Sequence, residues 1–171
     1  LSSSAPSVAA KMQLRIVGGG SEADLTTLTT LADELGIAGV TQFCGRADHA
    51  KVPEELSNFD VYVALSRRES FGVAALEAQA CGVPVVVSDA DGFLEIVQDG
   101  HAGFIVPLDA AVERASQAIM QLLLDPAKRA WLGHNGRIDV LSKYSWKNSL
   151  AIMLSALEET RRRYESTPPP Y

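Results

Sequence analysis

Glu69 and Glu77 stand eight positions apart around Ser70-Phe71-Gly72, and no other stretch of the sequence is as rich in chemistry. Ser70 suits a helix N-cap, which leaves the amides of Phe71 and Gly72 free and makes the helix start an anion site. Seven steps of about 100° carry the chain from Ser70 back to the same face at Glu77, about 10 Å further along the axis. The two carboxylates can therefore touch opposite ends of one extended ligand, with a diphosphate between them at the helix start. Glu77 lies among Ala74, Ala75, Leu76, Ala78 and Ala80, where a carboxylate with no partner is costly.

Gly18-Gly19-Gly20-Ser21 follows a β-branched run and opens a helical one, a context that lets backbone come close to phosphate or sugar oxygens. Gly18-x-Gly20-x-x-Ala23 also matches a variant dinucleotide fingerprint. The next strand ends in Phe43-Cys44-Gly45-Arg46, without the carboxylate an NAD ribose needs, which disfavours that reading. Arg67 and Arg68 are adjacent cations able to steer or hold a diphosphate bidentately. Neighbours on a loop rarely both face one ligand, so at most one of them is expected to contribute. Asp89-Ala90-Asp91 has the form of a metal-binding triplet, but two carboxylates do not make a magnesium site. It is expected instead to open a helix over 92–97, where Asp favours the positive end, and no metal is expected. His49, His101 and His134 are scattered and expected on the surface or in turns.

These residues fall at the ends of candidate strands over 14–17, 40–43, 61–65, 83–87 and 104–106. Most of these runs are apolar at successive positions, as in parallel strands buried on both faces. Helical patterns lie between them at about 22–35, 52–58, 71–81 and 92–98, and three more follow at 109–124, 127–142 and 146–164. The alternation predicts an α/β fold: a Rossmann-like, three-layer α/β/α domain with a parallel sheet of about five strands, plus C-terminal helices. Ligands of such a sheet bind at the carboxyl ends of the strands, where all of the residues above are placed. The domain is expected over 12–165, with a flexible connection at 1–11 and a Pro-rich tail at 166–171.

The chain has 171 residues, with 15 Lys plus Arg against 21 Asp plus Glu, a net charge of −6. That length suits one domain, and the acidic balance argues against a non-specific grip on nucleic acid. Cys44 and Cys81 form no CxxC pair, which excludes a zinc module or disulfide scaffold and fits a reducing, cytoplasmic compartment. The chain begins at Leu1 without a signal-peptide pattern, as a piece cut from a longer protein does.

The stretch Glu69–Glu77, followed by Ala78-Gln79-Ala80-Cys81-Gly82-Val83-Pro84-Val85-Val86, resembles the nucleotide-sugar-binding half of retaining GT-B glycosyltransferases of family 4. The pieces Ile16-Val17-Gly18-Gly19-Gly20, Leu35-Gly36-Ile37, Val40-Thr41-Gln42-Phe43-Cys44-Gly45 and Asp99-Gly100-His101-Ala102-Gly103-Phe104 agree, so the resemblance covers about residues 12–125. The resemblance implies half of a GT-B fold and transfer of a sugar, with retention, from a nucleoside diphosphate sugar to a carbohydrate or lipid-linked acceptor. No metal or other cofactor is implied, and the leaving diphosphate guides the acceptor.

On this resemblance Glu69 is the catalytic residue, bonding the donor sugar's hydroxyls and stabilising charge. Ser70, Phe71 and Gly72 offer amides to sugar and diphosphate, with Arg68 close by. Glu77 takes the ribose hydroxyls with Leu76 packed nearby, Gly45 and Arg46 line the base, and Gly18, Gly19 and Gly20 face donor and acceptor. Family members also have a preceding acceptor domain, and an earlier strand and helix that supply an Arg and a Lys to the diphosphate. This chain contains neither, so the fragment alone is expected to be inactive. The stripe Leu150, Met153, Leu154, Leu157 and Tyr164 on the last helix is expected to pack on the domain or on the acceptor half. Peripheral contact with a membrane is the other use of such a stripe. A non-catalytic nucleotide-binding or regulatory module is the alternative reading of the whole chain, and nucleic acid is not an expected partner.

Overall fold

A computed structural model describes residues 12–166. Its elements run β1 (Leu14–Val17), α1 (Glu22–Glu34), β2 (Thr41–Gly45), α2 (Val52–Ser57), β3 (Tyr62–Ala64), α3 (Val73–Ala80) and β4 (Val85–Ser88). They continue α4 (Asp91–Ile96), β5 (Gly103–Val106), α5 (Ala111–Leu124), α6 (Pro126–Lys143) and α7 (Trp146–Ser166). The connection expected at residues 1–11 and the tail from Thr167 lie outside the described residues; Ser166 still belongs to α7.

The expected α/β alternation is present, and every strand pair is parallel. β4 is the centre: Val85, Val86, Val87 and Ser88 are all fully buried. Successive side chains of a strand point to opposite faces, and the core divides accordingly. Val85 and Val87 pack with Ala75, Phe93 and Ile96, whereas Val86 packs with Ala115, Leu122 and Leu132. Those two clusters make the three layers. Contact between sheet and neighbours is close enough to demand glycine. A Cβ at Gly103 would strike the Val85 carbonyl, and one at Gly133 would strike the Gly82 carbonyl where α6 lies on the turn after α3.

The five strands do not form one continuous ladder. β1 pairs with β2, and β3-β4-β5 form a second group in that order. In a doubly wound sheet ordered 3-2-1-4-5-6, a pair and a trio of this kind leave one lane between them. The described residues place no strand in that lane. The surfaces beside it remain apolar and open: Leu14, Val17 and Val63 are each about two-fifths exposed, and Ala32 is the one buried residue of α1.

α7 stands apart from the core. None of its residues is buried, and Trp146, Ile152 and Leu157 are all more than 60% exposed. It therefore does not pack its apolar stripe on the described domain. Its C-terminal half carries i,i+4 ion pairs such as Arg163 to Glu159 at 2.6 Å, the kind of pair that supports an exposed helix. Among the described residues no helix is long and apolar enough to cross a membrane.

The uneven core yields a direct test. Leu132, which is fully buried, should cost about 2–5 kcal/mol on truncation to Ala. Leu28 of α1, which is 40% exposed, should change stability by about 0.5 kcal/mol or less on the same change. Urea unfolding of Leu132→Ala and Leu28→Ala reads both, and equal losses would contradict this placement of the core.

Candidate functional site

The loops that follow β1, β2, β3 and β4 carry nearly all of the residues singled out by the sequence. The first two meet directly: the Gly18 amide donates to the Gly45 carbonyl at 2.8 Å. Gly45 turns with φ 65°, a left-handed conformation that suits glycine. Arg46 lies over Gly19, its Nε 3.6 Å from where a Cβ there would stand. Ser21 then caps α1 together with Asp24, each bonding the other's backbone. Gly18, Gly19, Gly20, Gly45 and Arg46 thus form one exposed corner.

At the next loop the structure corrects the expected cap. α3 begins at Val73 and its N-cap is Gly72, at φ 83°. A left-handed residue at 72 interrupts the helical run, so Ser70 stands in the loop rather than capping. The amides of Phe71 and Gly72 are not free. They donate to Glu69 Oε1 at 3.3 and 3.1 Å, so the glutamate's own carboxylate sits in the anion position. Gly72 is closed on its other side as well, since a Cβ would come within 2.8 Å of Ile96 and 2.9 Å of Phe93.

Glu77 is half-buried on α3, and its carboxylate has no hydrogen-bond or ion-pair partner among the described residues. Leu76 beside it points into the core at 8% exposure. The two glutamates share one neighbour, Tyr62 of β3. Burial pushes the Tyr62 hydroxyl above its ordinary value of 10.0, and the negative charges of Glu69 and Glu77 push it further the same way.

Several residues that shape the site have no functional motif of their own. Gly92, in the first turn of α4, lies directly under the Glu69 loop. Its amide donates to the Glu69 carbonyl at 3.0 Å, and a Cβ would meet the Glu69 carbonyl oxygen and the Phe71 nitrogen, both at 2.6 Å. Ser88, fully buried, donates to the Ser66 carbonyl at 2.6 Å and ties the end of β4 to that of β3. Tyr144 meets Phe71 edge to face at 6.0 Å and donates its hydroxyl to the Glu95 carbonyl. Only glycine directly after the Asp89–Asp91 triplet hinted at any of this in the sequence.

Beyond Glu69 lies an open cavity of about 440 Å³, walled by Arg67, Arg68, Glu69, Ser70, Asp89 and Asp91. Both arginines line it. Asp89 is engaged there, accepting from the Leu108 amide at 3.1 Å, and Asp91 is the first residue of α4. Among the described residues no three His, Cys, Asp or Glu side chains group as a metal site. His49 and His134 are exposed, and His101 precedes β5 at the opposite edge, 3.7 Å from Asp139.

The parallel α/β architecture is that of the GT-B glycosyltransferases. The comparison with solved structures agrees. Sucrose-phosphate synthase from Thermosynechococcus elongatus superposes with a TM-score of 0.77 at 32% identity, over 91% of this chain and 39% of that one. HepE from Anabaena in complex with UDP-glucose superposes at 0.75 and 26% identity, over 87% of this chain and 43% of that one. The profile of Glycosyl transferases group 1 matches residues 3–139, and the chain belongs to that family. The D-inositol 3-phosphate glycosyltransferase of Stackebrandtia nassauensis is 35% identical over 95% of this chain, which spans 37% of that protein. The chain thus spans well under half the length of such relatives.

Two outcomes follow from this geometry. Gly92→Ala should displace the Glu69 loop and cost about 1–3 kcal/mol, the usual penalty of overpacking. Amide chemical shifts of Phe71 and Gly72 should move with it, and an unmoved loop would refute the contact. The second outcome concerns pH. The folded state holds the Tyr62 proton more tightly than the unfolded chain, so this contribution to stability is complete below pH 10 and is lost as pH rises through Tyr62's own value. Tyr62→Phe should flatten the alkaline fall in unfolding free energy; Tyr144, also raised, mainly by burial, retains part of it.

Proposed function

We propose that this chain is the donor-binding domain of a retaining GT-B glycosyltransferase of family 4, which takes a nucleoside diphosphate sugar as donor. The observation that carries the reading is the pair Glu69 and Glu77, set at either side of the Phe71 and Gly72 amides and both acting on Tyr62. Glu77 has carboxylate oxygens unclaimed by the described protein and suits the two ribose hydroxyls. The Gly18–Gly20 and Gly45-Arg46 corner lies on the nucleotide side, with the base along Gly45 and Arg46. The donor's diphosphate or sugar takes the Phe71 and Gly72 amides, with Ser70 beside them, and frees Glu69 to bond the sugar hydroxyls. The bond from the sugar to the diphosphate breaks, a bond to the acceptor hydroxyl forms on the same face, and that hydroxyl's proton passes to the leaving diphosphate. No metal takes part. HepE, crystallised with UDP-glucose, supports a nucleotide sugar as donor.

The acceptor is held by the remainder of a larger protein, which also fills the lane between β1 and β3 and adds cations for the diphosphate. Positioning and exclusion of water between two domains account for about 7–11 kcal/mol of barrier lowering, so the chain alone binds donor without turnover. Calorimetry should show binding of UDP or GDP that NAD does not match, unchanged by a metal chelator. A charge-assisted hydrogen bond is worth about 1.5–3 kcal/mol, so Glu77→Gln should weaken nucleotide binding by about tenfold or more while leaving the melting temperature of the free chain in place. Equal affinity for UDP and its 2′,3′-dideoxy analogue would refute the ribose assignment, and multiple turnovers by residues 1–171 alone would refute the division of labour.

A further inference from the structure

The corner between α6 and α7 touches the site loop. Tyr144, the residue after α6, meets the Phe71 ring edge to face, with centroids 6.0 Å apart and planes at 76°. Its hydroxyl donates to the Glu95 carbonyl on α4 at 3.3 Å. Glu95 stands about one helical turn beyond Gly92, whose amide donates to the Glu69 carbonyl. The loop from Glu69 to Gly72 is therefore gripped twice, by Gly92 through backbone and by Tyr144 through the Phe71 ring, and α4 joins the two grips. An edge-to-face pair is directional as well as apolar. It fixes where Phe71 lies, and with it the amides that Phe71 and Gly72 present to Glu69. The far side of the corner is held by one residue. Of the 21 residues of α7 only Asn148 is not exposed. Its backbone amide donates to Ser145 Oγ at 3.2 Å, and its side chain donates to the Ser142 carbonyl on α6. The other hydrogen-bonded and ion-paired side chains of α7 find their partners within α7 itself. The direction of α7 is thus set between Ser142 and Asn148, the segment that contains Tyr144.

We propose that Tyr144 is a positioning residue for the donor site: it holds Phe71 in place and passes the direction of α7 to the Phe71 and Gly72 amides. A helix that covers nothing on this domain, yet is tied to the site loop through one aromatic ring, works as a lever on that loop. The coupling rests on packing alone, and its ligand on the donor-binding reading. The test uses the whole chain, with UDP-glucose and UMP as probes and with amide spectra of the unliganded protein as a readout that needs no ligand. Y144F keeps the ring on Phe71 and should hold UDP-glucose within twofold of the native affinity. Y144L loses the edge-to-face pair and should weaken UDP-glucose by about fivefold. UMP, which lacks the second phosphate and the sugar, should stay within twofold in both. N148A removes the bond to Ser142 and alters no ring, so the Phe71 and Gly72 amide signals should shift in it through the corner alone. Equal effects of Y144F and Y144L on UDP-glucose, a parallel loss of UMP, or Phe71 and Gly72 signals unmoved in N148A would each overturn the proposal. Should Y144L not fold, the N148A spectra decide by themselves. Failure of UDP-glucose to bind the native chain, with the N148A shifts in place, would count against the donor-binding reading alone.

Discussion

The site depends on a contact in which a side chain is missing. Gly92 places bare backbone against the loop from Glu69 to Phe71, with its amide bonded to the Glu69 carbonyl. Because no Cβ intervenes, the end of β3 and the start of α4 approach to backbone contact, and the loop is pressed onto Phe93 and Ile96 through Gly72. Beside that close approach Gly72 turns left-handed, α3 begins at Val73 and the amides of Phe71 and Gly72 donate to Glu69. Tyr144 closes the arrangement from outside by packing on Phe71.

Charge is concentrated at this edge of the sheet. Glu77 is a half-buried carboxylate among alanines, and its charge and that of Glu69 are both felt by Tyr62. Two guanidiniums and the Asp89–Asp91 loop share an open cavity with Glu69. A carboxylate fixed by two backbone donors keeps its orientation at little entropic expense, and such preorganised groups act most strongly where water is excluded.

Much of this was legible in the sequence. The continuous apolar runs at 83–87 and 104–106 marked strands buried on both faces, and β4 is fully buried. The strand ends brought the glycine loops to one edge, whereas the seven helical steps counted from Ser70 to Glu77 are broken by the turn at Gly72. What escaped was set by tertiary contact. Ser70 has the composition of an N-cap, yet the cap is decided by a backbone turn at Gly72 that local propensity does not encode. The apolar stripe of α7 reads as a packing face, and its exposure is a matter of what else is present to pack on.

The division of the strands into a pair and a trio gives the molecule two grades of cohesion. β4 and its flanking clusters are sealed from solvent on both faces, whereas β1, α1 and β2 bury little beyond Ala32. Local opening follows burial, so the amides of β4 belong to the slowest-exchanging class and those of β1 and β2 to a unit that opens on its own. Gly18 and Gly45 are carried by the loosely held part, and Glu69 by the firmly held one. A ligand that spans both must therefore order the first against the second, and part of its binding free energy is spent as a folding reaction confined to one corner of the sheet.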